Sequence, residues 1–411
     1  MRKVLLVSHV SGFIPQFEMN NVRILQSLGC EVHYASNFEN PSYGDDNRRL
    51  EGTGIICHQI DFVRSPYSLK NLTAYRQLKR LMEEYDFALV HCHNPISAVL
   101  TRISARATRT APVIYTAHGF HFYKGAPLHM WLFYGTMEWI LSFLTSGLIC
   151  INQEDYEFAR RHFHCRRVDY VPGVGIDTGK IRGNYPVVSE YLKAAPGVAR
   201  CPEFTELRAQ KRRELGISSD AFVMISAGEL IPRKNHETAI RAVAVLKDRI
   251  PSLRYLICGH GELQANLKKL TLQLGISDRV IFAGYRKDLY DLYRAADLCV
   301  FPSLQEGLPV ALLEAMALGL PVICSDIRGN RELIENNRGG VRLSPRDYRA
   351  FSREILRFAK NKTLCISAGE ENVCQAENFT EEKTKHIMQK LYRGWLRTKI
   401  TGGKGACRRE I

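Results

Sequence analysis

No two of the twelve cysteines form a C-x-x-C pair, and Cys92, Cys150, Cys258, Cys299 and Cys324 lie inside apolar runs. Such spacing excludes a disulfide framework and suits small buried hydrophobes in a reducing compartment. G-x-G-x-x-G is missing, which leaves a dinucleotide dehydrogenase little support. No run of Lys or Arg is long enough for a nucleic-acid arm, and none of the known nucleic-acid motifs occurs, so nucleic acid is not an expected partner. The net charge of +15 then points to phosphorylated substrates and an anionic membrane surface. His91-Cys-His93, His118-x-x-His121 and His162-x-His164-Cys165 supply no four-ligand set with zinc spacing, and no metal or other cofactor is expected. Met-Arg-Lys-Val-Leu-Leu-Val leads straight into a strand-like run without an h-region or cleavage site, so a cytoplasmic protein is expected.

Long membrane-spanning runs are missing too. The nearest approach, Leu128 to Leu144, carries Glu138 near its middle and falls short of the roughly 20 apolar residues a crossing helix needs. Two readings stand for it: a long core helix, or a helix that dips its outer face into a membrane surface, since apolar residues occupy all its faces.

What is present is length and rhythm. A chain of 411 residues, 45% hydrophobic, exceeds one ordinary core and predicts two domains. Strands are predicted at Val4–Ser8, Val32–Ala35, Ala88–His91, Val113–Thr116, Leu148–Ile151 and Val168–Val171, with helices between, such as Gln16–Leu28 and Leu69–Glu84. The rhythm restarts at Phe222–Ala227 and continues through Arg254–Cys258, Val280–Phe282, Leu298–Phe301 and Val322–Ser325. Strands alternating with helices predict an α/β protein of two Rossmann-like, doubly wound parallel sheets. The expected division is a first domain over 1–182, a linker over 183–204 marked by Pro186, Pro196, Gly197 and Pro202, and a second domain over 205–378. A helix over 380–398 would return to the first domain, and 399–411 would be a basic tail. Ligand is expected between the domains, at the C-terminal edges of the sheets.

Two constellations carry chemistry. Glu306-Gly-Leu-Pro-Val-Ala-Leu-Leu-Glu314 follows a strand; Gly307 and Pro309 suit a tight turn opening a helix, and Glu314 lies in an otherwise apolar helix. A buried carboxylate needs a partner, and either two ribose hydroxyls or a basic side chain would serve. Gly228-Glu-Leu-Ile-Pro-Arg233-Lys234-Asn-His joins a strand to a helix, where a diphosphate would meet free N–H groups and two fixed cations; two solvated loop cations are the plainer reading. Ser8-His-Val-Ser-Gly12 and Cys258-Gly-His-Gly-Glu262 are further glycine-rich turns after strands. His118, in Tyr115-Thr-Ala-His-Gly-Phe, ends a first-domain strand and is either a ligand-facing or a structural histidine.

In combination and order these segments, with Val171-Pro-Gly-Val-Gly-Ile-Asp177 and Ser325-Asp-Ile-Arg-Gly-Asn-Arg-Glu332, resemble the retaining glycosyltransferases of family 4, of the GT-B fold, nearest the bacterial branch that builds capsular and exopolysaccharides. The resemblance implies a nucleotide diphosphate sugar, a UDP-sugar by preference, as donor. It implies a glycan acceptor, polyprenyl-diphosphate-linked in one version, met at the cytoplasmic face of the membrane and bound by the first domain, 1–182, with the nucleotide sugar held by the second, 205–378. It places Arg233 and Lys234 on the leaving diphosphate, Glu314 on the ribose, and His118 and Glu306 beside the donor sugar. Gly12 and Gly228 approach the donor, backbone around Tyr285 and Arg286 faces the base, and Gly307, Leu308 and Pro309 shape the diphosphate loop. No metal is required in this scheme. The segment Val187–Arg208 is longer than usual for the family, and Ile-Pro precedes Arg233. A nucleotide-sugar 2-epimerase of the same fold and a non-catalytic sugar-nucleotide-binding subunit are the alternatives.

Overall fold

The computed structural model describes residues 1–41, 47–110, 112–193 and 201–397. The expected tail, 399–411, lies outside them. The chain divides into two compact units, one of residues 1–174 with 382–397, the other Gly175–Glu381.

In the first unit β1 (Arg2–Val7), β2 (Cys30–Ser36), β3 (Ile56–Gln59), β4 (Phe87–His93), β5 (Val113–Ala117), β6 (Gly147–Cys150) and β7 (Arg167–Tyr170) form one parallel sheet in the order β3-β2-β1-β4-β5-β6-β7. Strand direction alternates side chains between the faces. Val4 and Leu6 pack with Met388, Leu391, Tyr392 and Trp395 of the helix Glu381–Arg397, while Leu5 and Val7 pack on the opposite face with Leu78, Leu81 and Phe87. The order reverses between β1 and β4, so the loops that follow them open at a topological switch point.

The second unit repeats the design with β8 (Val223–Ala227), β9 (Arg254–Cys258), β10 (Val280–Gly284), β11 (Leu298–Phe301), β12 (Val322–Ser325) and β13 (Gly340–Leu343), ordered β10-β9-β8-β11-β12-β13 and parallel throughout. Its switch point falls between β8 and β11.

The expected linker reads differently in space. Val188–Lys193 is a helix with Val188 and Tyr191 buried, and the Tyr191 ring lies 4.6 Å from buried Phe204. Prolines break the periodicity of this stretch, yet its apolar residues still find a core, and residues 183–193 and 201–204 belong to the second unit. The boundary falls instead beside Gly175, at φ +76°, where a Cβ would stand 2.7 Å from the Glu381 Cα. Ile176 pairs there with Thr380, its N–H donating to Phe379 O over 2.9 Å. Only glycine lets the two chain segments run so close.

Residues Leu128–Ser142 are helical in three pieces, with a π turn at Trp131–Gly135. Glu138 is buried in a two-pronged ion pair with Arg102, at 2.8 and 3.2 Å. Trp131 packs on Phe122 and Phe158. The opposite face is bare: Leu128 is 72% exposed, Leu132 65%, Ile140 51% and Phe143 57%. A long core helix is therefore not what this segment forms. Among the described residues no helix is long and apolar enough to cross a membrane.

Candidate active site

In the second unit the loops after β8 and β11 meet at the switch point. Gly228 follows β8 at φ +153°, and a Cβ there would crowd the Lys234 side chain at 3.2 Å. A short 3-10 turn, Pro232–Lys234, then presents both cations, and Asn235 closes it in a left-handed conformation at φ +52°. Asn235 locks the turn by donating Nδ2 to Pro302 O at 2.9 Å and Pro345 O at 2.7 Å. Sequence reading missed this residue, although Asn before a helix tolerating φ > 0 is its signal.

Lys234 Nζ lies 2.8 Å from Glu306 Oε1, and Arg233 Nη1 lies 2.9 Å from Glu306 Oε2. Burial pushes the Glu306 carboxyl up, but Lys234 and Arg233 outweigh it and hold the group below its ordinary range. Two cations facing one carboxylate leave a surplus of one positive charge. Arg233 remains 38% exposed, so its guanidinium can reach an incoming anion. Close backbone approach frames the site: a Cβ on Gly329 would lie 2.4 Å from Gly307 O, and buried Arg328 donates to Glu306 O at 3.2 Å. Leu308 is buried and Pro309 caps the helix Val310–Ala317.

Glu314, on that helix, has one polar neighbour among the hydrogen bonds described, the Tyr290 hydroxyl, which donates to Oε1 over 3.1 Å. Burial raises its carboxyl to about 7, against the lowering effect of that bond. No basic side chain pairs with it among the described salt bridges, so of the two readings the salt bridge is not realised. Tyr285 is 70% exposed, its ring 5.9 Å from that of His260. The Arg286 guanidinium is committed to Asp288, at 2.7 and 2.6 Å.

In the first unit Gly12 lies in the turn after β1, its carbonyl accepting from Gln16 N at 3.2 Å. His118 follows β5, and with Glu18, Asn21, Thr116 and Thr384 it lines a pocket. His93, at the end of β4, holds Nδ1 3.2 Å from His118 Nε2, and Glu18 Oε1 lies 3.7 Å from each of those nitrogens. This is the one group of metal-capable donors among the described residues. Burial lowers His118 to about 4 and raises Glu18 to about 8, the latter partly offset by the Asn21 hydrogen bond. His91, though on the same face of β4 as His93, is taken up by Tyr392 and Thr116, at 2.7 Å each. His164 stacks on Phe143 and His121 on Tyr134.

Two doubly wound parallel sheets in one chain, the second with a cationic turn at its switch point, are the architecture of GT-B glycosyltransferases. Comparison with known proteins agrees. The chain matches the family models Glycosyl transferase 4-like over residues 3–152 and Glycosyl transferases group 1 over residues 208–373. It is 34% identical over 399 residues to a Bacillus subtilis protein assigned as the glycosyltransferase EpsD, covering 96% of this chain and 97% of the relative. It is 30% identical over 329 residues to the Escherichia coli UDP-Gal:alpha-D-GlcNAc-diphosphoundecaprenol alpha-1,3-galactosyltransferase, covering 79% and 78%. The crystal structure of Anabaena HepE in complex with UDP aligns at TM-score 0.72 and 20% identity, covering 96% and 100%. The chain therefore belongs to glycosyltransferase family 4, of the GT-B fold.

Proposed function

We propose that the protein transfers a sugar from a UDP-sugar to a hydroxyl of a lipid-linked glycan acceptor, with retention of anomeric configuration and without a divalent metal, in capsular or exopolysaccharide assembly. The observation that carries this is the meeting of Arg233, Lys234 and Glu306 at the switch point of the second sheet. A leaving diphosphate needs its developing charge stabilised, and prearranged cations beside close-packed loops do that without reorganising solvent. Arg233 and Lys234 take the diphosphate, Glu314 the ribose hydroxyls, and the turn Gly307–Pro309 the phosphate oxygens. Glu306, held by both cations, orients the donor sugar together with His118 and does not attack it. The acceptor hydroxyl attacks from the face the diphosphate leaves, a phosphate oxygen taking its proton. Gly12 and Gly228 let backbone approach the donor. Backbone near Tyr285 and Arg286 faces the base, since the Arg286 side chain is spent on Asp288. The printed substrates of the E. coli relative, UDP-galactose and a diphosphoundecaprenol-linked sugar, support the choice of donor and acceptor class.

A mass-spectrometric screen of UDP-, GDP- and ADP-sugars against GlcNAc-diphosphoundecaprenol and related lipid-linked sugars tests this. Glycan extension from a UDP-sugar is expected, with an α product from an α donor by NMR, at a rate unchanged by EDTA. Use of GDP- or ADP-sugars alone, an inverted product or a tenfold loss in EDTA each removes the corresponding element. An epimerised UDP-sugar formed without acceptor would replace transfer altogether.

The bare face of residues 128–143 supports a cytoplasmic enzyme that rests on the membrane surface. Tyr67, 80% exposed, extends that face, its ring 6.2 Å from Phe133. Exposed Arg64 and Lys70 flank it in the chain. Apolar area for the acyl boundary and cations for anionic headgroups are the two terms of interfacial binding. Flotation with phosphatidylglycerol vesicles is expected to carry the wild type up, and Trp139→Ser with Ile140→Ser and Phe143→Ser to lower the bound fraction at least tenfold. Equal flotation of the triple variant would count against this face.

A further inference from the structure

Glu18, His93 and His118 reach one point from three elements of the first unit: the π turn Ile14–Glu18, the end of β4 and the loop after β5. His93 Nδ1 lies 3.2 Å from His118 Nε2, and Glu18 Oε1 lies 3.7 Å from each. A hydrogen bond between the imidazoles accounts for the first distance. It leaves the equal placing of the carboxylate oxygen unexplained, since 3.7 Å is beyond hydrogen-bond length. Ligand atoms about 2.1 Å from a tetrahedral ion stand about 3.4 Å from one another, and this triangle comes within a few tenths of an ångström of that. The pocket they line has a volume of about 30 Å³, the share of one water molecule and about a tenth of a pocket for a small organic ligand. An ion fits inside it and a sugar ring does not.

We propose that Glu18 Oε1, His93 Nδ1 and His118 Nε2 form a binding site for a divalent transition-metal ion of the Zn²⁺ class, and that the bound ion inhibits sugar transfer. The proposal rests on the transferase reading above, in which His118 orients the donor sugar, because an imidazole nitrogen that ligates metal is withdrawn from the sugar. Two imidazoles with one carboxylate suit zinc and its late first-row neighbours, whereas Mg²⁺ and Ca²⁺ prefer oxygen ligands. The surroundings are those of a ligand site. Asn21 Nδ2 donates to the other oxygen of the Glu18 carboxylate, the kind of outer contact that orients a ligating group. The Phe13 ring packs 5.4 Å from the His93 ring and 5.1 Å from that of His118, walling the donors with apolar surface. Glu18 and His93 are buried, while the His118 side chain keeps 23% exposure, which leaves an entry path. Two features hold the affinity down. Lys385 lines the same pocket and its charge opposes a cation, and the Glu18 carboxyl, raised by burial to about 8, must give up its proton to the ion. A dissociation constant on the order of 1 to 10 µM is therefore expected. Purified protein then carries little metal, in keeping with a transfer reaction that needs none.

Metal-free wild type, Glu18→Gln and His93→Gln are titrated near neutral pH with Zn²⁺ by calorimetry and with Co²⁺ by visible spectroscopy, and transfer is assayed with and without zinc. Wild type is expected to bind one Zn²⁺ and to give Co²⁺ the strong d–d absorption of a four-coordinate ion. Each substitution removes one donor with little change of volume. It is expected to weaken binding at least about a hundredfold, since even the outer partners of metal ligands are worth about ten- to a hundredfold. Saturating zinc is expected to cut wild-type transfer about tenfold or more, reversibly by EDTA, and to leave each variant at its own metal-free rate. Absence of zinc binding by the wild type overturns the proposal. So does binding that both variants retain, which assigns the ion to other histidines or thiols. Zinc held by the cluster with transfer undiminished overturns the inhibition. Should His93→Gln fail to fold, Glu18→Gln, which keeps the shape and hydrogen-bonding head of the side chain, carries the test by itself. Wild type that transfers nothing from any donor defeats the transferase reading, a distinct result, because calorimetry and the cobalt spectrum still decide the metal site.

Discussion

Replacing Arg233 or Lys234 by alanine is expected to lower kcat for transfer by about two to three orders of magnitude each, the size of effect seen when a prearranged donor to a developing anion is removed. The two losses are not expected to add. Both cations grip the same carboxylate, Glu306, at 2.9 and 2.8 Å, and residues sharing a partner act as a unit. That arrangement also complicates the experiment, because removing Lys234 leaves buried Glu306 with less compensation, and a buried charge stripped of a partner destabilises the fold. The control follows from the geometry. Lys234→Met combined with Glu306→Gln removes both charges, so thermal stability is expected to return toward wild type while transfer stays lost. Transfer that returns with stability would show that Lys234 serves only to neutralise Glu306, and near-normal transfer in both single alanine variants would remove the diphosphate role.

The strands were legible because buried parallel strands are short apolar runs bounded by turn residues, as in Val223–Ala227 and Leu298–Phe301. Ile56–Gln59 was not, being an edge strand on which Ile56, Cys57 and Gln59 are exposed, so no apolar run announces it. In the cluster of Arg233, Lys234 and Glu306, Lys234 and Glu306 lie 72 residues apart in the chain, yet the cluster could be anticipated, since each lies just after a strand of one doubly wound sheet and topology brings such loops together. Glu18 could not. In sequence it is one acidic residue in an amphipathic segment, and its partners His93 and His118 arrive from β4 and β5. Only the pairing of β1 with β4 and of β4 with β5 makes them neighbours, and local periodicity carries no record of that. The same holds for Thr384, whose place in the pocket depends on the last helix packing against the first sheet.

Affinity for a UDP-sugar is expected to rise about tenfold between pH 6 and pH 8 and to lose that dependence in Glu314→Gln. The argument starts from the Glu314 carboxyl, which burial holds at about 7 with the Tyr290 hydroxyl as its hydrogen-bond donor. An ionised carboxylate accepts from two neighbouring ribose hydroxyls, whereas the protonated group must spend one oxygen as a donor. Binding therefore selects the ionised form. Its population climbs from about one tenth at pH 6 to about nine tenths at pH 8, which sets the tenfold expectation. A UDP-sugar is the right probe, because its phosphates are both esterified and do not titrate in this window as the terminal phosphate of UDP does. Stability runs the other way. A carboxyl raised on folding takes up a proton, so its contribution to stability is present at low pH and is lost as pH rises from the ordinary carboxylate range through about 7. Bound donor supplies the missing partners, so the shift in melting temperature caused by UDP-sugar is expected to be larger at pH 8 than at pH 6. Glu314→Ala, which deletes both acceptor oxygens, is expected to weaken donor binding about a hundredfold. Calorimetric affinity independent of pH in the wild type, together with an unaltered affinity in Glu314→Ala, would take the ribose away from this residue.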